Sequence, residues 1–159
     1  MIREILELVF ITFIPALELR ASIPYGILKL DIGWVDVFMI CVLANIILGI
    51  IVYFLLDKCV HLVIRIKPIG RVYHKFVERT QKKIHPYVEK YGTLGVALFI
   101  GIPLPGSGVY TGALGSYLLG TGYRRFIIAC IVGVLIAGIA VTMITLFGSG
   151  AWNFFIKQV

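Results

Sequence analysis

Two charges and several prolines, glycines and serines interrupt sequence that is otherwise greasy. Glu18-Leu-Arg20-Ala-Ser22-Ile-Pro24-Tyr-Gly26 is one such place, and Gly101-Ile-Pro103-Leu-Pro105-Gly106-Ser107-Gly108 is the other. Arg20 offers a planar fork of donors that suits the oxygens of a phosphate. Glu18, two residues away, offers a carboxylate that can take up and release a proton. Charges at membrane depth cost a few kcal/mol each on insertion scales (about 2.5–3.5), so both require partners. Either they serve each other and the loose backbone around them, or they serve a substrate.

The backbone supplies the rest of a candidate anion site. Serine is a good N-cap and proline is tolerated in a first helical turn, so helices are expected to start near Ser22-Ile-Pro24 and near Ser107-Gly-Val. Free amides and the helix dipole at such starts favour an anion. Gly106 and Gly108 leave the backbone open to close approach. The expected substrate-binding set is therefore Glu18, Arg20, Ser22, Pro24, Pro103, Pro105, Gly106, Ser107 and Gly108, with Arg124 and Arg125 as interface anchors or as a grip on a phosphate at the entrance. Glu18 is the expected proton-coupling group. Asn45 reads as an interhelical hydrogen bond.

No nucleophile–base arrangement, phosphate-binding P-loop or zinc spacing is present, so no enzyme, cofactor or metal is expected. His61, His74 and His85 have no ligand spacing. Cys41, Cys59 and Cys130 are too few and too scattered for a disulfide framework, and Cys41 and Cys130 suit buried packing. No cleavable signal peptide is expected, because Glu7 interrupts the first apolar run and no small-residue cleavage site follows.

The elements that must position these residues follow from hydropathy. Of the 159 residues, 60% are hydrophobic and 14% charged, with a mean hydropathy of +1.00, which describes an integral membrane protein. Glu4 to Leu17 is too short to cross ~30 Å of hydrocarbon at ~1.5 Å per residue. Pro15 breaks it, a polar tip follows, and Ile27 to Ile32 leads to Gly33-Trp34. Val35 to Leu56 is a full span. Gly92 to Ile102 and Val109 to Gly120 are again short arms around a broken tip, and a second span runs from Tyr123-Arg-Arg-Phe126 to Phe147. Broken backbone at this depth survives only inside protein or beside a wet cavity. Each tip therefore reads as the turn of a re-entrant hairpin.

An offset of 89 residues brings the halves into register. It pairs Phe10 with Phe99, Ser22 with Thr111, Gly26 with Gly115, Gly33 with Gly122, Trp34 with Tyr123, Cys41 with Cys130, and Gly49-Ile50 with Gly138-Ile139. A hairpin returns to its own side and a span crosses, so the halves are expected to be inverted across the membrane. The expected fold is one all-α membrane domain, an inverted repeat of two re-entrant hairpins each followed by a full transmembrane helix. Repeat one is 4–57, a basic connector is 58–91, repeat two is 92–148 and the tail is 149–159.

The net charge of +7 bears on topology and anionic lipid rather than nucleic acid. Between Asp57 and Tyr91 nine Lys or Arg face three acids, and with Arg124 and Arg125 one side holds 11 of the 15 basic residues. Apolar residues at Val72, Phe76, Val77, Ile84, Tyr87, Val88 and Tyr91 make this connector amphipathic, as an interfacial helix is. The positive-inside rule puts the connector in the cytoplasm and both termini outside the cytoplasmic membrane. So small a unit is expected to form a homodimer or larger homo-oligomer to cover its hairpins.

The pairing of Glu18-Leu-Arg20-Ala-Ser-Ile-Pro24-Tyr-Gly26 with Pro103-Leu-Pro105-Gly-Ser-Gly108 resembles the small multi-drug export proteins over most of the chain. More distantly, the second half resembles the DedA superfamily, through its proline-containing tip, its Gly-rich arm, Tyr123-Arg-Arg-Phe126 and Gly133. The DedA resemblance implies paired re-entrant hairpins and translocation of a lipid carrier, notably undecaprenyl phosphate. DedA proteins carry arginines around the second tip, where this chain has Gly101 and Gly106-Ser-Gly108. Arg20 and backbone amides would then supply more of the contact. The alternatives are a proton-coupled exporter of small cationic drugs, with Glu18 as counter-charge, and a non-transporting scaffold whose basic connector binds lipid or a partner.

Overall fold

A computed structural model describes residues 2–15, 17–30, 32–63, 92–102 and 107–156. Residues 64–91 of the connector and the tip residues Pro103, Pro105 and Gly106 lie outside the described residues. What is described is helical, without strands: α1 (Ile2–Phe13), α2 (Glu18–Lys29), α3 (Trp34–Val63), α4 (Thr93–Gly101), α5 (Val109–Leu118) and α6 (Tyr123–Ile156).

The helices differ in length by a factor that decides their roles. Trp34–Lys58 of α3 and Tyr123–Gly148 of α6 are 25 and 26 residues with mean hydropathies of 2.8 and 2.9. At ~1.5 Å per residue either exceeds the ~30 Å hydrocarbon thickness. Only 39% and 44% of the two stretches is buried within the chain. The outward faces stay apolar, with Val35, Met39, Leu43, Ile47 and Ile51 exposed along α3. A core helix of a soluble protein would be covered there; lipid suits this face. By contrast α1, α2, α4 and α5 have 12, 12, 9 and 10 residues, or at most ~18 Å.

The direction of each helix can be read from its contacts. Tyr53 near the end of the α3 span stacks on Phe126 at the start of α6, with ring centroids 4.7 Å apart. Towards the other end, Gly138 of α6 faces Val42 and Phe38 of α3. The two long helices are thus antiparallel. Helix α1 turns back into α2, with Tyr25 Oη donating to Glu7 Oε2 at 3.3 Å and Gly26 against Leu8. Helix α4 turns back into α5 with Ile100 against Gly112. Gly26 also meets Val37, and eight residues earlier Glu18 meets Asn45, eight residues beyond Val37. Helix α2 therefore runs antiparallel to α3 and begins level with the middle of it.

Exchange of the halves at the 89-residue offset maps the packing onto itself. The contact of α1 with α2 corresponds to that of α4 with α5, α1 with α3 to α4 with α6, α2 with α3 to α5 with α6, and α2 with α6 to α5 with α3, while α3 with α6 is its own counterpart. A core of Leu8, Leu19, Ile23, Val37, Cys41, Val96, Ile100, Val109, Phe126 and Cys130 fills the centre. Cys41 and Cys130 are buried free thiols, as their apolar surroundings require.

The first hairpin departs from its expected boundaries. Its turn is Ile14 to Leu17, around Pro15, and α2 already starts at Glu18. Ser22 and Pro24 are inside α2, not at its start. Ser22 Oγ donates back to the Glu18 carbonyl at 3.0 Å, which is a mid-helix bond and not a cap. Pro24 removes one ladder bond, and burial of Leu19, Ile23 and Gly26 carries the helix past it.

One contact sets how closely the second half packs. A Cβ built on Gly133 of α6 would lie 2.6 Å from the Ala97 carbonyl oxygen and 2.7 Å from Ile100 Cβ. Backbone cannot give way as a flexible side chain can. Gly133→Ala should therefore destabilise the fold by about 1–3 kcal/mol, read as a lower thermal midpoint in detergent; a midpoint equal to the unsubstituted protein would contradict that packing.

Candidate functional site

The centre of the bundle is organised by Glu18. Its φ of 43° is the one left-handed value among the described non-glycine residues, a conformation that costs roughly 1–2 kcal/mol. It stands at the first position of α2, 7% exposed. From there its carboxylate reaches across to the second half. Oε2 accepts from the Val109 amide at 3.2 Å and Oε1 from the Tyr110 amide at 3.4 Å. These are the first two amides of α5, whose N-cap position is Gly108 with no side-chain cap of its own. The first amides of any helix lack intrahelical acceptors and carry the positive end of its dipole. Glu18 is therefore the cap of α5, supplied from 91 residues away.

Gly108 makes the approach feasible. Its φ is 139°, and a Cβ there would lie 2.5 Å from Glu18 Oε2. The left-handed φ selects glycine, and a Cβ would push the Glu18 carboxylate off the amides. The expectation that Ser107 caps α5 is thereby corrected. Ser107 Oγ donates to the Ile102 carbonyl at 2.6 Å and so closes the turn between α4 and α5. The same oxygen accepts from Arg20 Nη2 at 2.9 Å, and Arg20 Nη2 also donates to the Ser107 carbonyl. Tyr110 Oη donates to the Phe13 carbonyl at the end of α1, 2.5 Å away. Each hairpin turn is thus bonded to the other.

Glu18 and Arg20 do not form an ion pair with each other among the described residues; both are committed across the halves. The helix start at Glu18 offers little to an outside anion. The Glu18 amide donates to the Ile14 carbonyl, and the Arg20 and Ala21 amides to the Leu17 carbonyl. Of the two helix starts at the hairpin turns, that of α5 behaves as an anion receptor, and the chain's own carboxylate sits on it.

Of the expected site residues, Glu18, Arg20, Ser107 and Gly108 come together. Ser22 is fully buried and a turn away from the contact; Pro24 is further along α2. Pro103, Pro105 and Gly106 lie outside the described residues. Arg124 and Arg125 are exposed in the first turn of α6, about 9 Å of helix before Cys130, whose thiol packs at Gly49 beside Val109. Three residues are new to the site: Val109 and Tyr110 through their amides, and Asn45. Asn45 is 2% exposed, and its side chain stands beside the Glu18 carboxylate. A polar residue in the middle of an otherwise uncharged span was the signal for it. Among the described residues no group of His, Cys, Asp and Glu could hold a metal.

An all-helical bundle with two apolar spans and a buried charged contact at mid-height defines a membrane protein. The model of a family described as "Putative small multi-drug export protein" matches residues 18–140, well over half of the chain, and the chain belongs to that family. The match takes in both sides of the Glu18 contact. No curated protein and no solved structure matches the chain.

Gly108→Ala should break the contact from the α5 side. Loss of about 1–3 kcal/mol is expected from the backbone conformation and the clash together. Added to Glu18→Ala, it should cost less than the sum of the single changes by 0.5 kcal/mol or more, measured as denaturation midpoints in a double-mutant cycle. Strict additivity would separate Gly108 from Glu18.

Proposed function

We propose that the chain is a proton-coupled membrane transporter of an anionic head group, gated by the contact between Glu18 and the start of α5. Two re-entrant hairpins enter from opposite faces, as an inverted repeat, and their tips meet near mid-membrane. The antiparallel long helices, the short paired helices and packing that is preserved on exchange of the halves all support this reading. The basic connector 58–91 lies in the cytoplasm and both termini outside the cytoplasmic membrane, and the protein works as a homodimer or larger homo-oligomer.

The observation that carries the mechanism is the Glu18 carboxylate on the Val109 and Tyr110 amides. A helix start is a ready anion site, and here it is closed by an internal anion. When Glu18 takes a proton, its charge leaves those amides. They and Arg20, whose guanidinium has five N–H donors, then turn to an external anion. Release of the proton restores the carboxylate, which displaces the anion. One proton and one anion are bound and released together. The resemblance to DedA proteins points to a lipid phosphate such as undecaprenyl phosphate as the anion.

The second reading, export of cationic drugs, is nearer to the family's name. Its counter-charge would have to be Glu18, but that carboxylate already faces the positive end of α5 and has Arg20 beside it. A cation would meet no net negative charge there.

Protein reconstituted in vesicles should move a polyprenyl phosphate faster under an imposed pH gradient. Arg20→Ala should lower the rate tenfold or more, because a hydrogen bond to a charged group is worth about 1.5–3 kcal/mol. Glu18→Gln should leave exchange that ignores the gradient. Efflux of a cationic dye that survives Arg20→Ala and vanishes in Glu18→Gln would favour drug export instead.

A further inference from the structure

We infer that Asn45 is the positioning residue that lets Glu18 change protonation state inside the bundle, donating to the carboxylate through Nδ2 and, after a half-turn of the amide, accepting from the carboxylic acid through Oδ1. The inference rests on the proton-carrying role proposed for Glu18 and adds the residue that makes that role workable in a dry site. Its starting point is an anomaly. Asn45 Oδ1 is buried and has no hydrogen-bond partner among the described residues, and the side chain stands beside the Glu18 carboxylate. A buried acceptor left unmade is expensive, so an orphan beside a titratable group requires a reason.

An asparagine amide is the side chain suited to this position because its two ends are a donor and an acceptor of nearly equal shape. With Glu18 ionised, Nδ2 turns to the carboxylate and Oδ1 is the orphan. With Glu18 protonated, the new O–H needs an acceptor, and the reversed amide supplies Oδ1 while Nδ2 becomes the orphan. One end is unpaired in either state, so neither state is favoured by the amide and the proton moves at small cost. No bond is made or broken except that between the proton and the carboxylate, and the proton comes from and returns to water.

The other groups around Glu18 lack this property. Arg20 on α2 and the α5 amides can only donate. On α5 the Tyr110 phenol donates its O–H to the Phe13 carbonyl. Cys130 on α6 is a weak partner in either direction. On α1, Glu7 accepts from Arg3 and Tyr25 and is occupied there. Helix α4 carries no ionisable residue. Asn45 on α3 is the neighbour that can serve both forms.

The chain has two asparagines, Asn45 and Asn153, which makes the test clean. Protein with 13C-labelled asparagine in lipid bilayers would be titrated by infrared difference spectroscopy. The expected spectrum holds a carboxylic acid band, lost in Glu18→Gln, and a labelled amide band, lost in Asn45→Leu, with one shared midpoint. If Asn45→Leu fails to fold, Asn153→Gln gives the same assignment, because the amide band should then persist from Asn45 alone. A Glu18 band without an amide band, or an amide band indifferent to Glu18→Gln, overturns the inference. Paired bands in a protein that moves no anion would leave Asn45 its role and remove the transporter reading. Transport that requires Glu18 without the amide band would do the reverse. A Glu18 that never titrates overturns both.

Discussion

A carboxylate placed on the open end of a helix in the middle of an apolar bundle is the interaction on which this structure depends. Helix α5 starts beside buried residues, with Val109 fully buried and Glu18 nearly so, and Gly108 gives it no side-chain cap. Unsatisfied amides in hydrocarbon cost several kcal/mol each. Glu18 removes that penalty and, in return, the positive end of α5 holds a charge that would otherwise be stranded. Neither hairpin is complete without the other. The left-handed backbone at Glu18 is tolerated because the contact it permits offsets its strain.

Other features follow from the need to hold two hairpin turns against each other. Arg20 crosses to the Ser107 hydroxyl and carbonyl, and Tyr110 crosses back to Phe13. Close helix approach through Gly133 fixes α4 on α6. The long helices, which run antiparallel, give the hairpins a frame. A joint built of reciprocal hydrogen bonds is well suited to a protonation switch, since loss of one charge weakens several bonds at once.

Much of this was readable from composition and spacing. The two spans follow from apolar length, and the short arms of the second hairpin fall within a residue or two of α4 and α5, because Pro103 and the glycines punctuate them sharply. The first hairpin was harder. Ser22 and Pro24 look like a helix start by local rules, yet Pro15 makes the break and α2 runs through Pro24, since tertiary burial of Leu19 and Ile23 outweighs one lost ladder bond. The pairing of Glu18 with Val109 and Tyr110 could not be seen locally. It joins a side chain to backbone 91 residues on, and amides are invisible to residue-type reasoning. Asn45 had a signal, being polar in a span, but its partner depended on where α2 begins. The connector's expected interfacial helix falls outside the described residues.

The contact itself can be measured without any substrate. Amide hydrogen exchange at Val109 and Tyr110, in protein held in lipid bilayers, reports whether their N–H groups are bonded. Both should be protected, and Glu18→Ala should speed their exchange about tenfold or more, as loss of a charge-assisted hydrogen bond requires, while the rest of α5 exchanges as before. Equal rates at Val109 and Tyr110 with and without the Glu18 carboxylate would contradict its role as the cap of α5.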